Sequence, residues 1–207
     1  MQDPLLLIGG LVAFVIIVAV IWFIVLAPRR VDRAFVEFAS IIGEDGGSPG
    51  FQKATSTGQP QMLINMKPNT ELSSMVCQYG HSNGTLSANK RVLNVAGYHT
   101  KQGLKVELFA RPKNKPSSLA LRTGPPVKTT VPEFDDAITV DYADDTGRKL
   151  LNDNQFQQSL LQIEGLKFFE IRPEGAKTLI WGERNGVSVS GFQQLYIAIR
   201  RAALLLA

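Results

Sequence analysis

Five aspartates, Asp135, Asp136, Asp141, Asp144 and Asp145, form the densest acidic cluster in this chain of 207 residues. Converging carboxylates hold Ca²⁺ or Mg²⁺, or split their pKa values for acid–base work. The spacing does not support either use. Asp141 is followed by Ala143 where a calcium loop needs another ligand, and alternate residues on a strand diverge to opposite faces. The pattern predicts instead that Asp144 or Asp145 caps a helix, while Asp135, Asp136 and Asp141 face water. An enzyme built on Asp135–Asp145 is the least favoured of three functional readings.

Other chemistry is equally thin. The glycines of Gly43–Gly50 come without the Lys of a phosphate loop or its strand-to-helix context, and no G-x-S-x-G nucleophile elbow occurs. His81 lies in a Gly/Ser/Asn-rich stretch and His99 at a strand end, so both are expected at the surface. Cys77 is the sole cysteine, which excludes an intrachain disulfide and suits a reducing compartment. One Cys and two His make no convincing zinc site. No catalytic, cofactor-binding or metal-ligating residue is assigned, and no cofactor is expected. A net charge of +4, mixed in sign, lacks the basic stripe of a nucleic-acid surface.

The chain announces an address more clearly than a reaction. Leu5–Ala27 carries no charged side chain. As a helix it would reach roughly 34 Å, enough to cross a hydrocarbon core of about 30 Å. All 22 Lys and Arg follow it, as do all 18 acids except Asp3. The length of the run and the uncharged or acidic residues before it argue against a cleaved signal peptide. Arg29, Arg30 and Arg33 follow the run, so the positive-inside rule puts the domain in the cytoplasm and residues 1–4 outside. These arginines are candidates for lipid headgroup contact. Gly9 and Ala13, a small-xxx-small pair, and Trp22 are candidates for membrane or partner-helix contact. No ionisable group within the run supports transport by this helix alone.

Beyond the run, apolar spacing predicts an amphipathic helix over Val31–Ile42, then a flexible loop from Gly43 to Pro60. Residues 61–207 read as one soluble domain. Strands are expected at Met62–Met66, Arg91–His99, Leu104–Arg111, Ser118–Arg122, Phe134–Tyr142, Lys167–Ile171 and Thr178–Gly182. Arg91–His99 and Leu104–Arg111 read as a pair. Leu72–Tyr79 fits a short helix, and Leu150–Ile163 a helix broken near Asn152–Asn154. Asn185-Gly186 predicts a tight hairpin between Trp181 and Val187–Val189. A closing helix from about Phe192 buries Phe192, Leu195, Tyr196, Ile199 and Ala203 and ends on Leu204, Leu205 and Leu206, candidates for partner docking. Asn83-Gly84-Thr85 is a formal glycosylation sequon, irrelevant on the cytoplasmic side.

The stretch Phe134–Ile163 carries Phe134, Asp135, Val140, Asp144, Asp145, Leu150, Leu151, Phe156 and Leu160, with Arg122-Thr123-Gly124 upstream. It resembles bacterial membrane proteins of unknown function that have one or two N-terminal spans and a cytoplasmic domain ending in two strands and a helix. The resemblance runs from Phe134 to the C-terminus and implies α+β architecture without a chemistry. The expected fold is therefore α+β: one N-terminal transmembrane helix, then a single domain with a mainly antiparallel sheet and packed helices. The expected role is a non-catalytic, single-span accessory or scaffolding subunit of a larger complex in the bacterial inner membrane. Its partners would be other membrane subunits and the lipid bilayer, not nucleic acid. The alternative is a membrane-tethered module binding a lipid or small ligand.

Overall fold

Buried side chains alternate with half-exposed ones through Met62–Ile64, Met75–Cys77–Tyr79 and Leu93–Val95, and these stretches are strands. The computed structural model describes residues 14–18, 20, 21, 36–43, 47–53, 60–66, 70–81, 91–115 and 125–207. Its strands are β1 (Gly47–Lys53), β2 (Pro60–Met66), β3 (Leu72–His81), β4 (Arg91–His99), β5 (Leu108–Pro112), β6 (Ile138–Ala143), β7 (Leu166–Glu174) and β8 (Lys177–Asn185). They form one antiparallel sheet of eight strands in the order β1-β2-β3-β4-β8-β7-β5-β6. Besides helical residues 14–18, 20, 21 and 36–43, the helices among the described residues are α1 (Pro132–Ala137), α2 (Asp145–Leu151), α3 (Asn154–Leu161) and α4 (Val189–Leu206). The architecture is α+β.

The core lies between one face of the sheet and the helices. Met75, Cys77, Leu93, Val95, Phe169, Ile171 and Ile180 meet Phe156, Phe192, Leu195 and Ile199 there. The long helix α4 crosses β4 and β8 above two glycines. A Cβ on Gly97 would stand 2.8 Å from Ile199 Cγ2, and one on Gly182 would stand 2.5 Å from Leu195 Cδ2. These missing side chains let α4 approach the sheet closely. Ser188 starts the helix by accepting a hydrogen bond from the Gly191 amide at 3.1 Å. Helical residues 36–43 pack against the start of α4. Phe38 and Ile42 are fully buried, and the Phe38 ring stacks on Phe192 with centroids 4.7 Å apart.

Of the stretch Leu5–Ala27, residues 14–18, 20 and 21 are described, and all are helical. Among the described residues no helix is long and apolar enough to cross a membrane. The first part of the expected Val31–Ile42 helix and the expected strand Ser118–Arg122 lie outside the described residues.

Several expectations are corrected. Gly47–Lys53, expected to be loop, is an edge strand, because pairing with β2 satisfies its backbone on one side. Leu72–Tyr79 is a strand, not a helix: Met75, Cys77 and Tyr79 are buried at period two. Arg91–His99 and Leu104–Arg111 do not pair with each other. The first gives β4, between β3 and β8; the second gives β5, between β6 and β7. The first half of Phe134–Tyr142 is α1, opened by Pro132, whose missing N–H costs nothing in a first turn. Asn185-Gly186 does not join two strands. Gly186 takes φ = 80°, but the chain then enters α4. The hairpin turn lies at Gly175, φ = 62°, between β7 and β8.

Candidate interaction surfaces

The acidic run does not converge. Asp135 accepts from the Thr129 amide at 3.1 and 3.2 Å and from the Thr129 hydroxyl at 3.1 Å. Asp136 is exposed and pairs with Lys113 at 3.3 Å. Asp141 takes the Arg111 guanidinium in a fork, Nε to Oδ2 at 2.6 Å and Nη2 to Oδ1 at 2.9 Å. Asp144 caps α2, its Oδ1 accepting from the Gly147 amide at 2.6 Å, and Asp145 stands exposed in the first turn. The expected cap is found, but Asp135 and Asp141 are bonded and partly buried rather than facing water, because each holds a neighbouring segment in place. Among the described residues no group of His, Cys, Asp and Glu could hold a metal ion.

His99 is corrected from surface to core. It lies 2 % exposed on the α4 side of β4, with Nε2 3.1 Å from the Ala203 carbonyl and Nδ1 accepting from the Lys101 amide at 3.0 Å. A donating Nε2 and an accepting Nδ1 describe one neutral tautomer. Cys77 is buried in β3, and burial pushes its thiol far above the ordinary range. His81 ends β3. Gly9, Ala13, Trp22, Arg29, Arg30 and Arg33, named as membrane, partner-helix and headgroup contacts, lie outside the described residues. The docking candidates Leu204, Leu205 and Leu206 separate. Leu204 and Leu205 are exposed, whereas Leu206 turns into the core at 5 % exposure because the period of α4 carries it under the helix.

Two surfaces gather side chains fit for contact. The first is the face of the sheet opposite α4. Register places Gln61, Gln78, Asn94 and Glu183 in one row across β2, β3, β4 and β8. Leu63, Val76, Ala96, Trp181, Glu170 and Phe109 form the next row, continuing onto β7 and β5. Phe168 meets the Trp181 edge with centroids 4.7 Å apart and stacks on Phe109 at 5.8 Å. Arg172 lies over the Trp181 ring at 5.6 Å, and Lys177 over Tyr98 at 5.6 Å. Charges here are balanced locally: Lys167 pairs with Glu183, and Arg172 with Glu170 at 3.6 Å. Burial, then the Glu174 carboxylate, raises the Tyr98 phenol, which stays a neutral donor.

Small side chains at Val76 and Ala96 leave a depression of about 260 Å³, bordered by Gln78, Asn94, Tyr98, Arg172 and Trp181. Asn94 borders it, with its Oδ1 turned away from solvent and without a hydrogen-bond partner among the described residues. The second surface is a groove of about 500 Å³ between residues 36–43 and the outer side of α4, lined by Ile41, Tyr196, Ile197, Arg200, Arg201 and Leu204, with Gln193 at its rim. Arg201 is tied to Asp153, Nη2 to Oδ2 at 2.7 Å.

The sequence pattern did not single out the sheet face, and of the groove it named Leu204 alone as a docking candidate. The usable signals are Ile197, an apolar residue on the otherwise polar side of the closing helix, and the large rings Phe168 and Trp181 at positions alternating with the buried Phe169 and Ile180. Comparison with protein-family models, with curated proteins and with solved structures gives no match to this chain.

Proposed function

We propose that this chain is a non-catalytic, single-span accessory or scaffolding subunit of a larger complex in the bacterial inner membrane. Residues Leu5–Ala27 anchor it with residues 1–4 outside, and the α+β domain contacts partner subunits on the cytoplasmic side. The observation that carries this reading is the sheet face opposite α4, half-exposed at Gln78, Asn94, Ala96 and Trp181 and closed over toward the buried Glu170 and Phe109. Its aromatic and carboxamide rows have no helix packed over them among the described residues, and its ion pairs are already balanced. Such a surface suits the desolvated centre of a protein interface, where Trp, Tyr and Phe are enriched and unpaired charge is scarce. The anchor is supported by Phe14–Val18, Val20 and Ile21, which are helical and between 47 % and 64 % exposed. Apolar side chains left uncovered on consecutive positions need a non-aqueous environment.

Photo-crosslinking in intact cells tests the proposal. A benzophenone amino acid at Gln78 or Trp181 is expected to give adducts with other membrane proteins. The same group at exposed Lys149 on α2 serves as control. Adduct patterns equal at all three positions, or none from the sheet face, would overturn it.

A second reading, a membrane-tethered ligand-binding module, is favoured by one feature: the depression of about 260 Å³ bordered by Gln78, Asn94, Tyr98 and Trp181. Its ligand would bring a flat apolar side to lie against Ala96 and Trp181. A thermal-shift screen with methyl glycosides and nucleosides tests this reading. It requires a stabilising compound whose effect disappears in Asn94→Ala.

A further inference from the structure

Exposed apolar side chains are not scattered over the domain. Outside residues 14–21, the large ones are Val36, Ile197, Leu204, Leu205 and Tyr142 among the described residues. All but Tyr142 belong to two elements, helical residues 36–43 and α4, which Phe38, Phe192 and Tyr196 lock together. The groove between these elements presents Ile41, Ile197 and Leu204, and among the described residues its charged lining residues are Arg200 and Arg201. Apolar side chains flanked by arginines are the composition of a helix lying in the membrane interface. The methyl groups enter the acyl boundary while the Arg200 guanidinium stays at headgroup level and Arg201 remains with Asp153. Glu37 and Ser40, exposed on the first element, fit the wet rim of such a contact.

Chain length points the same way. Val36 follows Ala27 by nine positions, so even a fully extended connection reaches only about 30 Å at about 3.5 Å per residue. A domain of this size has a radius of gyration of about 15 Å. The element that receives the tether is held within about one domain diameter of the bilayer, and the apolar groove opens beside it.

We infer that this face of the domain rests on the bilayer, with Ile197 and Leu204 in the interfacial layer and Arg200 at the phosphates of anionic lipids. This rests on the anchoring of Leu5–Ala27 proposed above. It leaves the opposite face of the sheet, with Trp181 and Phe168, turned toward the cytoplasm and free to receive a partner subunit.

The test uses the full chain in phosphatidylcholine vesicles containing phosphatidylglycerol and doxyl-labelled lipid. Because Cys77 is buried, an environment-sensitive NBD fluorophore can be placed at one introduced cysteine at a time. The sites are Ile17→Cys in the anchor, Ile197→Cys and Leu204→Cys in the groove, and Gln78→Cys on the open sheet face. Each variant is first checked for an unchanged unfolding midpoint, and the two groove positions serve as independent readings. The expected result is blue-shifted emission and lipid quenching at positions 17, 197 and 204, with neither at 78. Quenching at 17 with positions 197 and 204 behaving like 78 would overturn the inference and leave the anchor standing. No quenching at 17 would overturn the anchoring reading and this one with it. Energy transfer between two copies labelled at 197, without lipid quenching, would assign the groove to a second copy and overturn the lipid contact.

Discussion

Replacing Phe38 with Ala should free helical residues 36–43 from the domain while leaving the sheet intact. Phe38 is fully buried, and its ring meets Phe192 at 4.7 Å and Tyr196 at 6.0 Å. Truncating a buried Phe to Ala costs about 3–5 kcal/mol, a range that includes its ring contacts. Ile42 is the one other buried side chain in the segment, worth about 1.5–3 kcal/mol, and ordering each backbone residue costs about 1–2 kcal/mol. A helix this short is not stable by itself in water. The loss therefore exceeds what remains to hold the segment. Hydrogen exchange read by mass spectrometry is the assay. Amides of residues 36–43 should exchange at least about 100-fold faster, since each 1.4 kcal/mol is tenfold. Amides of β4 and β8 should change little. Unchanged protection over 36–43 would refute this packing, and equal loss across β4 and β8 would show that the segment is integral to the core.

Other substitutions probe the same packing and charge. Gly147→Ala in α2 should lower stability by about 1–3 kcal/mol in urea unfolding, although Ala is normally favoured in a helix by about 1 kcal/mol; the new Cβ would stand 2.5 Å from the Glu107 carbonyl oxygen, a backbone atom that already binds the Asp144 amide at 3.0 Å. A stability gain in Gly147→Ala would refute that contact. The Asp153 carboxyl is held below its usual range, first by the Arg201 guanidinium and then, against some desolvation, by the Phe156 amide. Its stabilising effect is therefore complete above the unfolded carboxyl value near 3.9 and fades as pH falls through the lower folded value. Asp153→Asn should thus destabilise at pH 6 and converge with wild type in acid, and a gap independent of pH would contradict this. Cys77 should react with Ellman's reagent only when urea unfolds the chain, because burial both covers the thiol and suppresses its thiolate. Rapid reaction in the native protein would contradict its place in β3.

Helix caps and the final helix were legible because their signals are local. Asp144 and Asp153 sit where a side-chain oxygen reaches the amide three residues on. Likewise, the apolar period of Phe192, Leu195, Tyr196, Ile199 and Ala203 has one solution. Strand pairing was not legible. β5 lies beside β6 and β7 rather than β4, a choice made by long-range contacts that no turn residue announces. Leu72–Tyr79 misled because Leu72, Met75, Val76 and Tyr79 also fit a helical period, and the sheet environment decided between the two. Asn185-Gly186 misled for a different reason. The positive φ it favours is realised, but it serves a strand-to-helix junction. Of the two interaction surfaces only Leu204 was named for docking in advance, because each surface is assembled from elements distant in sequence. Residue 41 meets residues 197–204 only once Phe38 has docked.

The proposed role as an anchored accessory subunit is tested most directly by isolating the full chain from its own membrane in mild detergent and measuring its native mass. The expected result is a chain that resists alkaline carbonate extraction and then elutes in a larger particle, in fixed ratio with other membrane proteins. A chain released by carbonate, or one that elutes as a lone monomer, would contradict the proposal.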